Sequence, residues 1–344
     1  MPKKIIRGFT LVELLVVISI IGLLAGLMLP AINSAREQGR RASCINNQRN
    51  IALAFTMFEQ NKGKYPQFRV HTAPRTDNSQ TIASFNNQTD EPGDGTYLSE
   101  IGWAPQLFPY VEQVQLWDEI NKYGYNKNCE VTLELFLCKS AGSTDLSACN
   151  YVGNCGTADV QEGVIDQTSA YGLLTDGIGY GNVKGKKISN DDVKDGLSNT
   201  LLLSENLQSG TIWCQKEYLV GFCVNYYTGD DNLDYEPFFN EGASPEENPG
   251  IPLRPNLYRD EAENLSITNA YTSAGPVGWN TARMSSSHPG VVVAALADGS
   301  TRVVSENVDA ELLTKAMSPN DKATAFWKKN LFKSRTFDAS KLNE

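Results

Sequence analysis

Several groups of residues in this 344-residue chain are of types and at spacings that could do chemistry. Gly8 closes a short basic leader carrying Lys3, Lys4 and Arg7, and Phe9 opens an apolar run that extends to Leu29. A secretory signal places its small-residue cut point after the apolar core. Here Gly8 precedes it, so a cut there leaves the hydrophobic segment as the new N-terminus, beginning at Phe9. Glu13 is the one carboxylate within that run. A charge so near the start of a membrane-length stretch is costly and invites a functional explanation. Near the other end of the chain, His288 and Asp298 flank the run Val291–Leu296, with Ser285, Ser286 and Ser287 just upstream. Such a pair could orient an imidazole as hydrolase triads do, or form a hydrogen bond pinning a strand entry to its turn. No nucleophile elbow or metal-type histidine cluster accompanies it, and His71 is the only other histidine, so the structural role is expected.

Oxygen and sulfur ligands are also present. Asp191, Asp192 and Asp195 lie in a Gly/Asn-rich stretch where calcium could bind, but their order is not that of an EF-hand. Solvated turn carboxylates are expected there, and equally at Asp230, Asp231 and Asp234. Seven cysteines stand at 44, 129, 138, 149, 155, 214 and 223. In an exported domain these point to disulfides rather than metal ligands or catalytic thiols. The odd count leaves one thiol over. Cys214 and Cys223 could clamp a hairpin, and Cys149 with Cys155 is a second local candidate.

The elements that must position these groups begin with one long helix. Phe9–Leu29 is long enough to cross a bilayer, which takes roughly 20 residues. Its basic flank should stay cytoplasmic and place the rest of the chain outside. Pro30 lacks an amide donor and should kink the helix where it leaves the membrane. Beyond it Ile32, Ala35, Ala42, Ile45, Ile51, Ala52, Phe55 and Phe58 recur at three- and four-residue steps, with Arg36, Glu37, Arg40, Arg41, Gln48 and Arg49 on much of the opposite surface. Gly63 and Tyr65-Pro66 stop it, giving a rod on the order of 80 Å. The expected division is a leader at 1–8, a membrane or filament-core helix at 9–30, an amphipathic continuation at 31–63, and an ectodomain at 64–344. Exposed loops are expected near 67–96 and 230–264.

Within the ectodomain an ordered block begins at Trp103, followed by a helix around Val111 to Ile120 and a segment from Val131 to Cys138 that could be strand or helix. Val291–Leu296 reads as a buried strand, Asp298-Gly299 as a hairpin turn and Thr301–Val304 as the returning strand. Asp309 should cap a helix running through Met317. The fold class is α+β. The net charge is −10, and loss of the leader's three cations makes it −13. That acidity argues against nucleic-acid binding and against an anionic-membrane partner beyond the anchor itself.

The segment Gly8-Phe9-Thr10-Leu11-Val12-Glu13-Leu14-Leu15-Val16-Val17-Ile18 resembles the class III signal of type IV pilins and type II secretion pseudopilins. The resemblance implies a pilin-like fold, in which the helix packs on a domain containing an antiparallel sheet. It also implies a prepilin peptidase that cuts after Gly8 and methylates the Phe9 amine. Glu13 would then neutralise the Phe9 ammonium of a neighbouring subunit in a filament at the bacterial inner membrane. His288-x(9)-Asp298-Gly299, with Asp195-Gly196-Leu197-Ser198-Asn199-Thr200 and Ser204-Glu205, resembles the large bacterial family called domain of unknown function 1559, or solute-binding-protein-like family 10. Arg40–Asn47, Leu107–Gln113 and Phe136-Leu137-Cys138 match it too, whereas Lys139 stands where the family usually has proline. That family brings no established biochemical activity. A non-enzymatic filament subunit is expected, and the large ectodomain suits a minor or tip position. The alternatives are a tethered module binding a polysaccharide or other solute through Trp103, Trp213 and Trp279, and a hydrolase centred on His288.

Overall fold

A computed structural model describes residues 11–75 except 69, 97–123, 131–142, 147–161, 172–174, 187–207, 221–226, 284–308 and 310–319, with isolated positions between them. Helix α1 (Leu11–Lys62) runs without interruption through Pro30. Its 52 residues span about 78 Å at ~1.5 Å per residue. Gly63 ends it in the left-handed region (φ 65°), its N–H bonding the Glu59 carbonyl at 2.7 Å. The helix has two characters. From Leu11 to Ile32 its large apolar side chains are all exposed. From Cys44 onward a stripe of buried residues, including Gln48, Ile51, Ala52, Phe55 and Phe58, faces the rest of the protein.

What that stripe faces is a six-stranded sheet. Strands β3 (Tyr151–Gln161), β4 (Val164–Ile165), β5 (Leu201–Glu205), β6 (Gly221–Tyr226), β7 (Val291–Leu296) and β8 (Thr301–Ser305) follow the order β4-β3-β5-β7-β8, with β6 also on β3. All pairs are antiparallel except β3 with β6, so the sheet is mixed. The expected hairpin forms with Val291 opposite Ser305 and Ala295 opposite Thr301. Its turn places Gly299 at φ 82°, while the Asp298 carboxylate accepts the Ser300 N–H at 2.9 Å. The unbroken apolar run of β7 has a cause: both faces of the sheet are covered. Ala295 joins the core beneath α1, whereas Val292, Ala294 and Leu296 pack with Leu313, Ala316 and Met317 of helix α4 (Ala310–Met317). Residue 309, the expected cap of α4, lies outside the described residues.

The α1 side holds the larger core. Phe55 meets Trp103 at 5.3 Å between ring centres, Trp103 meets Phe136 at 6.1 Å, and Phe136 meets Phe108 at 6.4 Å. Trp103 belongs to the short helix α2 (Trp103–Gln106), and Phe136 to a 3-10 turn, Glu134–Phe136. The architecture is therefore α+β and pilin-like, a long N-terminal helix laid on a sheet.

Several local expectations need correction. Part of the stretch taken as an exposed loop at 67–96 is strand β1 (Val70–Arg75), paired antiparallel with β2 (Tyr97–Ile101) and carrying a register irregularity between His71 and Pro74. The chain returns to pair with it, which local composition does not reveal. Helix α3 is Val114–Tyr123, three residues later than expected, because residues up to Tyr110 form their own 3-10 turn. Cys149 and Cys155 do not bond to each other. Residues 151–155 are extended in β3, which carries Cys155 roughly 13 Å along the strand from Tyr151, and the Cys149 thiol donates to the Tyr151 carbonyl instead. The loop near 230–264 and Cys214 lie outside the described residues, and Cys223 is on β6.

One glycine on β3 is a close-approach position. A Cβ at Gly153 would sit 2.3 Å from Leu174 Cδ2, in a region where Leu174 is pinned by its N–H to the Asn154 carbonyl at 2.9 Å. Gly153→Ala is expected to destabilise the fold by about 1–3 kcal/mol through overpacking. In a Leu174→Ala background the same change should cost almost nothing, as measured by denaturant unfolding. Strictly additive losses in that cycle would contradict the contact.

Candidate functional site

The buried stripe of α1 does not stop being buried where it stops being apolar. Followed back from Phe55 and Ile51, the same face carries Gln48, Cys44 and then Glu37, at three- to seven-residue steps. Each of these polar groups meets a segment far away in the chain. Gln48 Nε2 donates to the Val293 carbonyl of β7 at 2.8 Å. Asn47, on the flank, donates to the Glu134 and Leu137 carbonyls at 3.1 Å each, holding the 3-10 turn against the helix. That turn is fixed further by Asn150, whose side-chain oxygen accepts the Cys138 N–H at 3.0 Å and whose own N–H reaches the Phe136 carbonyl at 2.9 Å. Cys138 is thereby delivered to Cys44, with 2.8 Å between the sulfurs.

Two more segments converge there. Glu205, the last residue of β5, is 1 % exposed, and its Oε2 accepts the Val293 N–H at 3.0 Å. Its Oε1 is buried and pairs with His288 Nε2 at 3.4 Å. His288, fully buried, sits on the approach to β7, where the Ser286 hydroxyl accepts its N–H at 3.1 Å. Its Nε2 is 3.6 Å from Cys138 Sγ, and its Nδ1 is 2.5 Å from Glu37 Oε1. The other Glu37 oxygen accepts from Arg40 at 2.5 and 2.9 Å, and Ser140 donates to Oε1 at 3.0 Å. Cys44, Cys138, Glu205 and His288 thus bring four donor atoms within 4.8 Å of one another. They form the one metal-capable group of this kind among the described residues.

The electrostatics follow from that crowding. Burial lowers the pKa of His288, but hydrogen bonds with Cys44, Glu205 and Glu37 and the Glu205 charge outweigh it and raise it to about 10. The bond with Cys138 draws the Cys44 thiol down to about 5 against the opposing effect of burial. The same bond, with burial, pushes Cys138 up. Burial acts to raise Glu37, yet hydrogen bonds from His288, Arg40 and Ser140 hold it below its ordinary value. Tyr151 is pushed up by burial and then by the negative charge of Cys44, Cys138 and Glu205. The four donors are buried, and Glu37 with Arg40 at their edge is partly exposed. These donors can hold a metal ion, and the two sulfurs can be joined by oxidation. The imidazole itself is fully buried.

Comparison with known proteins places most of the chain in one family. The family described as "Protein of unknown function (DUF1559)" matches residues 33–311, which contain all of the clustered residues and most of the chain. The chain belongs to the DUF1559 family. A second match, the prokaryotic N-terminal methylation motif, covers residues 3–29. Two curated relatives are each 35% identical over 60 residues, 17% of this chain: the type II secretion system core protein G of Pectobacterium carotovorum subsp. carotovorum, matched over 38% of its length, and that of Klebsiella pneumoniae, over 43%. The chain spans less than half the length of these relatives. No solved structure matches it. Neither family description names an enzyme.

In this DUF1559 protein the residues singled out from sequence fall into separate places. Glu13 stands on the exposed first turn of α1, while Gly8 and Phe9 lie outside the described residues. His288 and Asp298 do not pair. They lie at opposite ends of β7, roughly 20 Å apart for six strand residues, so the expected hydrogen bond between them is replaced by His288 with Glu37 and Glu205. Asp191, Asp192 and Asp195 do not converge as calcium ligands. The Asp192 carboxylate closes a capping box on Ser189 in the 3-10 turn Asn190–Asp192. Trp103 is buried in the aromatic core and presents no stacking face to a solute; Trp213 and Trp279 lie outside the described residues. Ser285 serves as an acceptor for the Leu207 N–H. Sequence reasoning missed Glu37, Cys44, Cys138 and Glu205 as a group.

Proposed function

We propose that this protein is a structural subunit of a pilin-like filament, of type II secretion or type IV pilus kind, and not an enzyme. A prepilin peptidase removes residues 1–8 by cutting after Gly8 and methylates the amine of Phe9. Residues 9–30 anchor the subunit in the bacterial inner membrane with the leader in the cytoplasm, and then become the filament core. Residues 31–63 pack on the ectodomain formed by 64–344, which faces the periplasm or the filament surface. Glu13 compensates the Phe9 ammonium of a neighbouring subunit, a pairing that gains strength in a low-dielectric bundle.

The observation that carries this reading is the change of character along α1. Its first half is a fully exposed apolar helix of membrane length, and its second half is core to the domain. A single rod used in two environments needs a partner for the first half, and lipid followed by other subunits supplies one. The methylation motif at 3–29 and the similarity to pseudopilin G support the same assignment. Mass spectrometry of the mature N-terminus tests it. Co-expression with a prepilin peptidase should yield a chain beginning at N-methyl-Phe9. An intact Met1, or a cut beyond Leu29, would remove the assignment.

A further inference from the structure

We propose that Cys44, Cys138, His288 and Glu205 form a structural site for one tetrahedral divalent ion of the zinc type, with Glu37 as the outer carboxylate that orients His288. The donor set is two sulfurs, one imidazole nitrogen and one carboxylate oxygen, the ligand chemistry zinc favours. The geometry fits in detail. With Zn–N of ~2.05 Å, Zn–O of ~2.0 Å and Zn–S of ~2.3 Å, a tetrahedron has an N···S edge of about 3.6 Å and an N···O edge of about 3.3 Å. His288 Nε2 is 3.6 Å from Cys138 Sγ and 3.4 Å from Glu205 Oε1. The S···S edge of such a site is about 3.8 Å. The sulfurs stand at 2.8 Å and have to part by about an ångström.

Two further observations bear on the site. Glu205 Oε2 is committed to the Val293 N–H, while Oε1 is buried and faces the cluster, its partner being His288 Nε2 at 3.4 Å. That contact is longer than the ~2.7–2.9 Å of an ordinary charge-assisted hydrogen bond, and coordination would engage the oxygen more closely. His288 Nδ1 is held on Glu37, which fixes the ring so that Nε2 faces the other donors. That is the carboxylate–histidine–metal arrangement by which proteins set the ligating tautomer. Binding needs both cysteines as thiolates and Nε2 without its proton, so whatever protons these three atoms carry leave to solvent, while Nδ1 keeps the proton it shares with Glu37. The ion then joins α1, the segment after the 3-10 turn, the end of β5 and the approach to β7. It staples the pilin helix to the sheet, whether or not the filament assignment holds.

The rival state of the same sulfurs is a Cys44–Cys138 disulfide, which leaves Nε2 and Glu205 Oε1 as a simple ion pair. Oxidising compartments favour it. The metal is preferred because nitrogen and oxygen already stand at coordination distances from the sulfur and from each other.

The test uses the full chain in detergent, purified with a phosphine reductant and dialysed against zinc sulfate, with metal measured by plasma mass spectrometry. One zinc per chain is expected, falling at least tenfold in Cys138→Ser and in His288→Gln. Glu37→Gln should keep the site but weaken zinc affinity about 10–100-fold. Cobalt exchanged into the unmutated chain gives a readout that needs no variant. A tetrahedral absorption spectrum with thiolate-to-cobalt charge-transfer bands supports the site. Substoichiometric zinc with no such bands overturns it. So does an intact mass lower by two hydrogens in protein isolated without reductant, with the Cys44 and Cys138 peptides linked.

Discussion

Glu13→Ala is expected to abolish incorporation of the subunit into filaments while leaving its ectodomain folded. The carboxylate stands in the first turn of α1, on an exposed surface, and the first fully buried residue of the helix is Cys44. The buried residues of the helix begin some thirty positions further on, so the change should not alter ectodomain stability. In the assembled state the balance differs. Two unit charges ~4 Å apart at an effective dielectric of ~20 interact by about 4 kcal/mol. In the proposed filament, loss of one partner would also leave the Phe9 ammonium unpaired in an apolar bundle. Because the contact repeats at every subunit, a loss of even half that size at each step prevents growth. The measurement is the fraction of subunit in sheared filaments against the membrane fraction, by immunoblot. Processing at Gly8 should persist, confirmed by the mature mass. Glu13→Ala protein recovered in filaments at the unmutated level would refute the charge-pairing role.

Much of the scaffold was legible in the sequence because its signals are local. The apolar run after Phe9, the three- and four-residue recurrence through Phe58, the stop at Gly63 and the Asp298-Gly299 turn each depend on neighbours within about one or two turns of chain. The apolar run, the stop at Gly63 and the turn appear where expected or within a residue or two, whereas Ile32, Ala35 and Ala42 of the expected apolar face are exposed and the buried face begins at Cys44; Gly8 and Phe9 lie outside the described residues. What local patterning misassigned was decided by pairing across distance. Val70–Arg75 looked like loop because its polar composition gives no alternation, and it becomes strand only against Tyr97–Ile101. Cys149 and Cys155 looked like a local pair because β3 is buried between neighbouring strands, and a strand in that position need not alternate to announce itself.

The cluster was illegible for the same reason in stronger form. Its contacts join residues 94, 150 and 251 positions apart. Cysteines in an acidic domain that is expected to be exported first suggest disulfides, and His288 with Asp298 across one short strand suggests a pair. Yet a signal was present. Glu37, Cys44, Gln48, Ile51 and Phe55 continue one helical face, and polar residues on the face that otherwise packs against a core must be met by partners. Gln48 and Glu37 had been placed on the solvent side with the arginines. Their burial is the correction, and it marks where the helix stops being only a core element and begins to carry a site.

Phe55→Ala should be the most damaging single change in the second half of the helix. Phe55 is fully buried and stacks on Trp103 at 5.3 Å, which in turn packs on Phe136 and through it on Phe108. Truncation removes the aromatic ring and leaves a cavity among groups that cannot collapse, since Trp103 begins α2 and Phe136 sits in a turn tied to α1 by Asn47. The expected cost is about 3–5 kcal/mol, against a total of about 5–15 kcal/mol for a domain. Met57, two residues on and exposed, is the control, and Met57→Ala should change stability by less than about 0.5 kcal/mol. Both variants should remain membrane-associated, because residues 11–32 are untouched. Urea unfolding followed by tryptophan fluorescence measures the difference, and near-ultraviolet circular dichroism reports whether the aromatic core has loosened. Equal midpoints for the two variants would mean that the helix only tethers the ectodomain. A wide gap means that the rod which anchors the subunit is also the centre of its fold, so that any force drawn along α1 during assembly acts directly on the core.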